Sequence, residues 1–130
     1  MFKRTQAIYA ALAKTLGVAT LPADDNGSVQ LTVGDNSTVT LFAEDEFTLM
    51  LVSPVMPLPK KVDYGGTLWL LRRNFYDSPI APFRVSCDTA GSIIVWGRVP
   101  IDGMTGEALA GLIDSLAAEA NLIREELETD

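Results

Sequence analysis

The first segment of the chain has apolar residues at a helical spacing. Ile8, Leu12 and Leu16 stand four residues apart, a spacing that places side chains on one side of an α-helix. Gly17 follows directly, and glycine commonly ends a helix because it adopts the left-handed conformation without strain. We therefore predict an amphipathic helix over residues 5–16.

The hydrophobic period then changes to two. Apolar and polar residues alternate at positions 29–33, 39–41 and 47–51, which is typical of strands with one buried face. Turn-forming residues separate these segments, so we predict three consecutive antiparallel strands. The next segment, Ser53 to Asp63, is rich in proline. We predict a loop there, because proline lacks the N–H group that a sheet ladder needs.

The middle of the chain favours a short helix from Thr67 to Phe75. Leu68, Leu71 and Phe75 lie at spacings of three and four residues, as on one face of a helix. The apolar run 68–71 is also short enough to be a strand, and periodicity alone leaves both structures open.

A hairpin and a long helix complete the pattern. Residues 83–87 alternate, and a second apolar run covers 93–99 after a turn-forming segment, which predicts two antiparallel strands. Thr105 can cap a helix that runs towards the end of the chain. The buried stripe of that helix is predicted to consist of Leu109, Leu112, Ile113, Leu116, Ala120, Ile123 and Leu127.

These elements predict one domain over residues 1–130 of the α+β class. We expect a twisted antiparallel five-stranded sheet with three helices, in the order α-β-β-β-α-β-β-α, and with the first and third helices covering one face of the sheet. A chain of 130 residues is long enough for one hydrophobic core and too short for two.

The second face of the predicted sheet carries more apolar residues than a solvated face should. Phe42, Met50 and Val52 point away from the helices if the neighbouring apolar positions point towards them. Either Ile94 and Trp96 or Ile93 and Val95 join this second face. The middle helix or another polypeptide can cover it, and the pattern leaves both possibilities open. The positions expected to face the helices are Val39, Leu41, Phe47, Leu49 and Leu51.

The middle helix itself is apolar on more than one side, at Leu68, Trp69, Leu70 and Leu71. Such a helix needs burial on both sides. A symmetry-related subunit would supply the second side, which indicates a twofold homodimer. A helix sunk in the core of its own chain is the alternative.

Charge argues against anionic partners. The chain has 17 acidic and 10 basic residues, a net charge of −7 and a pI near 4.4, so nucleic acid and anionic membrane surfaces would be repelled overall. We predict neither nucleic-acid binding nor membrane insertion. Carboxylates are concentrated in residues 107–130, and we interpret them as a solvated helix face and tail.

The sequence offers little for catalysis or metal binding. It contains no histidine and one cysteine, Cys87, so an intrachain disulfide and a thiolate zinc cluster are excluded. We predict that Cys87 is packed and structural. The best catalytic constellation is Asp63, Tyr64, Asp77 and Arg84, without a general base of the usual kind. We therefore predict a protein that is not an enzyme and uses no cofactor or metal.

The N-terminal segment does not fit a signal peptide. Lys3 and Arg4 precede an apolar run, but Lys14 interrupts that run and no small-residue cleavage site closes it. No stretch has the apolar length of a membrane span. We expect a soluble protein of the bacterial cytoplasm.

Three motifs, together with the element order, resemble the Tir chaperone (CesT) family, the class I chaperones for effectors of type III secretion. They are Leu70-Leu71-Arg72-Arg73-Asn74, the hairpin from Asp88 to Val95, and the segment from Val99 to Thr105 that leads into the acidic last helix. The resemblance extends from the first helix to Leu127. The insert from Pro54 to Pro59 departs from the family pattern.

The resemblance implies a homodimer that binds the N-terminal chaperone-binding segment of a cognate secreted effector and keeps it competent for export without ATP. It also makes the ATPase of the secretion system a candidate further partner. The implied dimer contacts are Leu68, Leu71, Phe75, Phe83 and Val85. The implied effector-binding residues are Ile8, Leu12, Leu31, Phe42, Met50 and Trp96.

One rival function stays open on charge alone. An acidic adaptor or toxin-neutralising protein would bind a folded partner through its charged surface, and that binding would weaken strongly in salt.

Overall fold

The elements follow the predicted order in the computed structural model, which describes residues 1–61, 63–78, 80 and 82–128. The three described helices are α1 (Lys3–Leu16), α2 (Tyr64–Arg72) and α3 (Gly106–Glu128). The five described strands are β1 (Val29–Val33), β2 (Ser37–Ala43), β3 (Thr48–Pro57), β4 (Arg84–Cys87) and β5 (Ser92–Pro100). The predicted α+β class is confirmed.

The strands form one antiparallel sheet in the order β1-β2-β3-β5-β4. Alternate residues of the strands face a layer of helices and are buried, and we call this side the inner face. Helix α3 lies across β2, β3 and β5, and α1 packs beside α3. Fully buried side chains at the centre of this core are Leu12, Leu41, Leu49, Leu51, Leu109, Leu116 and Ile123.

Helix α1 is held in the core by an aromatic side chain. The hydroxyl of Tyr9 donates to the carbonyl oxygen of Gly27 at 2.9 Å, and the carbonyl oxygen of Leu41 lies 3.3 Å away. Gly17 ends the helix with a φ of 75°, as predicted. Leu16, however, is 47% exposed, so the buried stripe of α1 ends before the last residue of the predicted series.

Helices α1 and α3 approach closely at Gly106, the first residue of α3. A Cβ atom at this position would lie 2.3 Å from the carbonyl oxygen of Ala11 and 2.5 Å from Oγ1 of Thr15. Thr105 caps the helix as predicted, because its Oγ1 accepts from the backbone N–H of Ala108 at 3.1 Å. The start of α3 is therefore fixed both by its cap and by contact with α1.

Strand β3 continues through residues predicted as a loop, so that prediction was wrong for 53–57. The ladder with β2 ends at Val52, and beyond it β3 pairs with β5 alone. A register shift between Pro54 and Met56 marks a bulge. Prolines are tolerated at such places because one side of the strand needs no backbone donor.

Phe47 was also misplaced by the prediction. It precedes β3 and is 47% exposed. The guanidinium of Arg4 lies 4.7 Å from the centre of its ring, and Arg4 is paired with Asp102 at 2.9 Å. Phe47 thus covers the outside of the domain rather than filling the core.

The middle segment is a helix, and the strand alternative is excluded. It begins at Tyr64, earlier than predicted, because Oδ1 of Asp63 accepts from the backbone N–H of Gly66 at 2.7 Å and caps it. Gly65 and Gly66 therefore belong to the first turn of α2. Turn hydrogen bonds continue from Arg73 to Ser78.

The glycines of α3 give a matched test of the α1–α3 contact. We expect Gly106→Ala to lower the free energy of unfolding by about 1–3 kcal/mol because the methyl group overlaps Ala11 and Thr15. Gly111→Ala, which meets open space, should raise it by about 0.5–1 kcal/mol through helix propensity. Urea denaturation measures both, and equal effects of the two substitutions would contradict the close approach.

The buried tyrosine gives a pH test. Burial, and secondarily the Asp24 carboxylate, raise the pKa of Tyr9 from 10.0 to about 12. The unfolded chain therefore loses this proton first, and the stability contributed by Tyr9 should be lost as pH rises from 10 towards 12. Denaturation between pH 8 and 11 should show a shallower decline for Tyr9→Phe than for the wild type. Tyr76→Phe, at a residue that is 78% exposed, should keep the wild-type slope.

Candidate partner-binding surfaces

The outer face of the sheet carries a continuous set of apolar side chains. Within the described residues, the helices lie on the inner face, and the apolar side chains of the outer face are half-buried. Phe42 pairs with Met50 and Val52 pairs with Trp96 across neighbouring strands. Cross-strand partners on one face touch, so these residues form one surface. We define the outer stripe as Phe42, Met50, Val52, Ile94 and Trp96.

Trp96 is fixed at one end of the outer stripe. Its Nε1–H donates to Oγ of Ser86 at 2.8 Å. The guanidinium of Arg98 lies 5.3 Å from the centre of the ring, and Nε of Arg98 pairs with Glu44 at 2.8 Å. The indole therefore presents a fixed apolar surface with its polar group already satisfied.

A second apolar surface lies on α2 and the turn after it. Tyr64, Leu68, Leu71 and Phe75 follow one another at spacings of four, three and four residues, so the three in the helix share one face. Tyr64, Leu71 and Phe75 are 82%, 62% and 56% exposed, and Leu68 is half-buried. We call these four residues the α2 patch.

The segment behind the α2 patch is anchored by polar contacts. Arg73 makes two hydrogen bonds of 2.6 Å to the carboxylate of Glu119 on α3, and its guanidinium lies 4.9 Å from the ring of Trp69. The side chain of Asn74 donates to the carbonyl of Val85 at 2.8 Å and accepts from its N–H at 2.6 Å. The patch is therefore exposed on a segment with a defined position.

This anchor was missed by the sequence reasoning. Glu119 is 6% exposed, whereas we had placed it on a solvated acidic face. Its position one residue before Ala120 of the predicted buried stripe was the available signal, because a buried carboxylate needs a cation. Cys87 was likewise predicted to be packed, but it is exposed at the last residue of β4, which is an edge strand of the sheet.

The structure separates the predicted effector-binding residues into three groups. Ile8 and Leu12 are 5% and 0% exposed and belong to the core. Leu31 is half-buried on the inner face of strand β1. The remaining three come together on the outer stripe: Phe42, Met50 and Trp96.

The predicted dimer residues fall into an exposed group and a buried group. Leu68, Leu71 and Phe75 lie on the α2 patch. Phe83 and Val85 are 2% and 9% exposed within their own chain, and the ring of Phe83 packs directly on Gly97. Their burial leaves little side-chain surface for a partner.

The candidate catalytic constellation does not assemble. Asp63 serves as the cap of α2, Tyr64 points into solvent, and Nη1 of Arg84 donates to the carbonyl of Phe83 at 3.3 Å. Within the described part of the chain, no hydrogen bond or ion pair joins any two of these residues and Asp77. The described residues also contain no cluster of three or more aspartate, glutamate or cysteine side chains that could hold a metal ion. They include no helix long and apolar enough to cross a membrane.

The fold is similar to solved structures of secretion chaperones. In the heterodimeric ExoU–SpcU complex from the type III secretion system of Pseudomonas aeruginosa, the similar chain has 22% sequence identity and a TM-score of 0.77, with 91% of this chain and 95% of that chain covered. The second is the Yersinia pestis type III secretion chaperone SycH in complex with a stable fragment of YscM2, at 19% identity and a TM-score of 0.77, covering 92% and 98%.

Sequence comparison gives the family directly. A search of curated protein sequences found no significant match. The sequence model of the Tir chaperone protein (CesT) family matches residues 8–124, which confirms the resemblance drawn from the motifs. The chain belongs to the Tir chaperone protein (CesT) family.

Proposed function

We propose that this protein is a cytoplasmic chaperone that binds the N-terminal chaperone-binding segment of a type III secreted effector and keeps it competent for export. Membership of the CesT family supports this function. The similar solved structures include complexes of secretion chaperones with their partners. The proposal involves no ATP, no metal and no catalytic step by this chain.

The observation that carries the proposal is the uncovered outer stripe. A sheet with helices on one face is stable with a polar second face, yet here Phe42, Met50 and Trp96 lie together on it. These side chains are half-buried and adjacent, and a contiguous apolar surface that stays partly accessible is suited to another polypeptide. Met50 adds a side chain that adapts its shape to varied partners.

An extended client segment fits this surface chemically. Each aliphatic or aromatic client side chain that becomes buried contributes about 1.5–3 kcal/mol, so a few contacts suffice for stable binding. The unpaired edge of β1 can add main-chain hydrogen bonds, which tolerate variation in the client sequence. Of the six residues that the resemblance implied, our proposal rests on Phe42, Met50 and Trp96, with Leu31 beside the β1 edge.

We further propose that the chaperone is a homodimer formed through the α2 patch. Three large side chains of this patch are more than half exposed in one copy. A twofold axis beside α2 would bring the patch of one protomer against the same patch of its partner. The anchor between Arg73 and Glu119 favours this arrangement because it fixes the patch before association. Phe83 and Val85 would support α2 from within the core.

The outer stripe is tested by Met50→Asp. A carboxylate in an apolar contact leaves a charge without a partner, so we expect at least about a tenfold loss in affinity for the cognate effector segment. Calorimetry with the N-terminal segment of the cognate effector measures the loss. Val18→Asp, at a residue 48% exposed after α1, is the control and should bind normally. Normal binding by Met50→Asp would remove the outer stripe from the proposal.

The dimer is tested by Leu71→Asp. We expect the dimer dissociation constant to rise at least about tenfold, because the new carboxylates would be desolvated at the interface. Light scattering over a concentration series measures this change against the monomer mass of 14.0 kDa. Leu16→Asp carries the same change at a residue 47% exposed on α1 and should leave the mass unchanged. A monomeric wild type at micromolar concentration would refute the dimer itself.

Salt separates the proposal from charge-led docking to a folded partner. Affinity for the effector segment should change little between low and high ionic strength if apolar contacts dominate. A steep loss of affinity in salt would instead favour the acidic adaptor function.

A further inference from the structure

Charged residues are distributed unevenly between the sheet and the rest of the chain. The whole chain has 17 acidic residues, yet the five described strands contain none. Their two charged residues are Arg84 and Arg98, both cationic. Both belong to the outer face, since their strand neighbours Phe83, Val85, Gly97 and Val99 are buried.

The two arginines flank Trp96. Arg84 is the cross-strand partner of Trp96, and Arg98 lies two residues further along the same strand with its guanidinium over the ring. Trp96 is therefore placed between two cations at the end of the outer stripe. A client side chain that packs on the indole lies within reach of both guanidinium groups.

The two cations differ in how they are balanced. Nε of Arg98 is neutralised by Glu44 at 2.8 Å. Arg84 makes one 3.3 Å hydrogen bond to a backbone carbonyl, and no carboxylate of the described residues pairs with it. Arg84 is also half-buried, so its charge is less screened by water than that of a fully exposed lysine. The outer face thus holds a cation with unused donors beside an apolar contact surface.

We propose that the segment bound on the outer stripe carries a carboxylate two residues from an apolar residue, so that both side chains of the extended segment point towards the sheet. This carboxylate pairs with Arg84 while the apolar residue packs on Trp96. This inference rests on the proposed function and adds the chemistry of the client. The carboxylate fixes the register of an extended segment whose apolar contacts alone would allow it to slide by two residues. Because the protein is acidic overall, a client with many carboxylates would be repelled, and one well-placed group is selected.

Synthetic peptides test the preference directly. Three short peptides alternate leucine and threonine and differ only at the central position of the leucine face, which is glutamate, glutamine or lysine. We expect the wild-type protein to bind the glutamate peptide about fivefold more tightly than the glutamine peptide, with lysine the weakest. Fluorescence anisotropy gives the affinities, and the indole N–H resonance of Trp96 reports whether the peptide occupies the outer face.

Variants assign the preference to one side chain. Arg84→Gln should abolish the discrimination between glutamate and glutamine, and Arg84→Lys should retain part of it because the charge remains. Lys14→Gln removes the same charge from an exposed position on α1 and should leave the preference unchanged. The preference should also shrink in high salt.

Other outcomes would overturn the inference. Equal binding of all three peptides at Trp96 would leave client binding in place and remove the role of charge. If Arg84→Gln still bound the glutamate peptide more tightly than the glutamine peptide, a cation other than Arg84 would recognise the carboxylate. An undisturbed Trp96 resonance with every peptide would remove client docking on this face altogether. If Arg84→Gln had a lower mass by light scattering than the wild-type dimer, the outer face would instead bind a second copy of the chain.

Discussion

The packing of α3 across the inner face of the sheet is the interaction on which the rest of the structure depends. Its apolar stripe, centred on Leu109, Leu116 and Ile123, packs across β2, β3 and β5. Helix α1 then packs beside α3, where Gly106 allows the two backbones to approach. Both long helices therefore lie on the inner face of the sheet. The rest of the chain is too short to form a second layer of helices on the outer face.

The position of both long helices on one face explains why two apolar surfaces, the outer stripe and the α2 patch, stay accessible. The short helix α2 reaches the core through Trp69 and Leu70 and is tied to α3 by Arg73 and Glu119. It therefore lies at the inner side of the sheet and leaves the outer stripe uncovered. On its opposite side, Tyr64 and Leu71 are 82% and 62% exposed in the part of the chain that the structure describes. A chain that exposes two such surfaces is suited to two different partners.

Hydrophobic periodicity predicted most of the fold because each helix and strand buries one side, and this burial is visible as a spacing in the sequence. It failed at Pro54, since the proline rule depends on whether a neighbouring strand is present, and the end of β2 is decided by tertiary pairing. The resemblance did not separate Ile8 and Leu12 from Phe42 and Met50, because apolar character is the same for a core residue and for a binding residue.

The anchor of α2 could not be predicted for a related reason. Arg73 and Glu119 lie 46 residues apart in sequence, and the acidic composition of α3 suggested a solvated carboxylate. Only the position of Glu119 beside a buried stripe indicated otherwise. Local patterns report what each element buries, whereas polar pairs between elements depend on how those elements meet.

The two edge strands of the sheet differ in how much of their backbone is free to pair with an added strand. At the β4 end, the side chain of Asn74 already occupies the N–H and the carbonyl of Val85, so that part of the edge is closed to an added strand. At the β1 end, an isolated bridge from Ala23 covers Val29 alone. An added client strand therefore favours β1, which is separated from β4 by the three central strands. Helix α2 is tied to α3 on the inner side of the sheet, whereas the outer stripe lies on the opposite face. Self-association through the α2 patch and client binding along the outer stripe therefore use different faces of the molecule and can occur together.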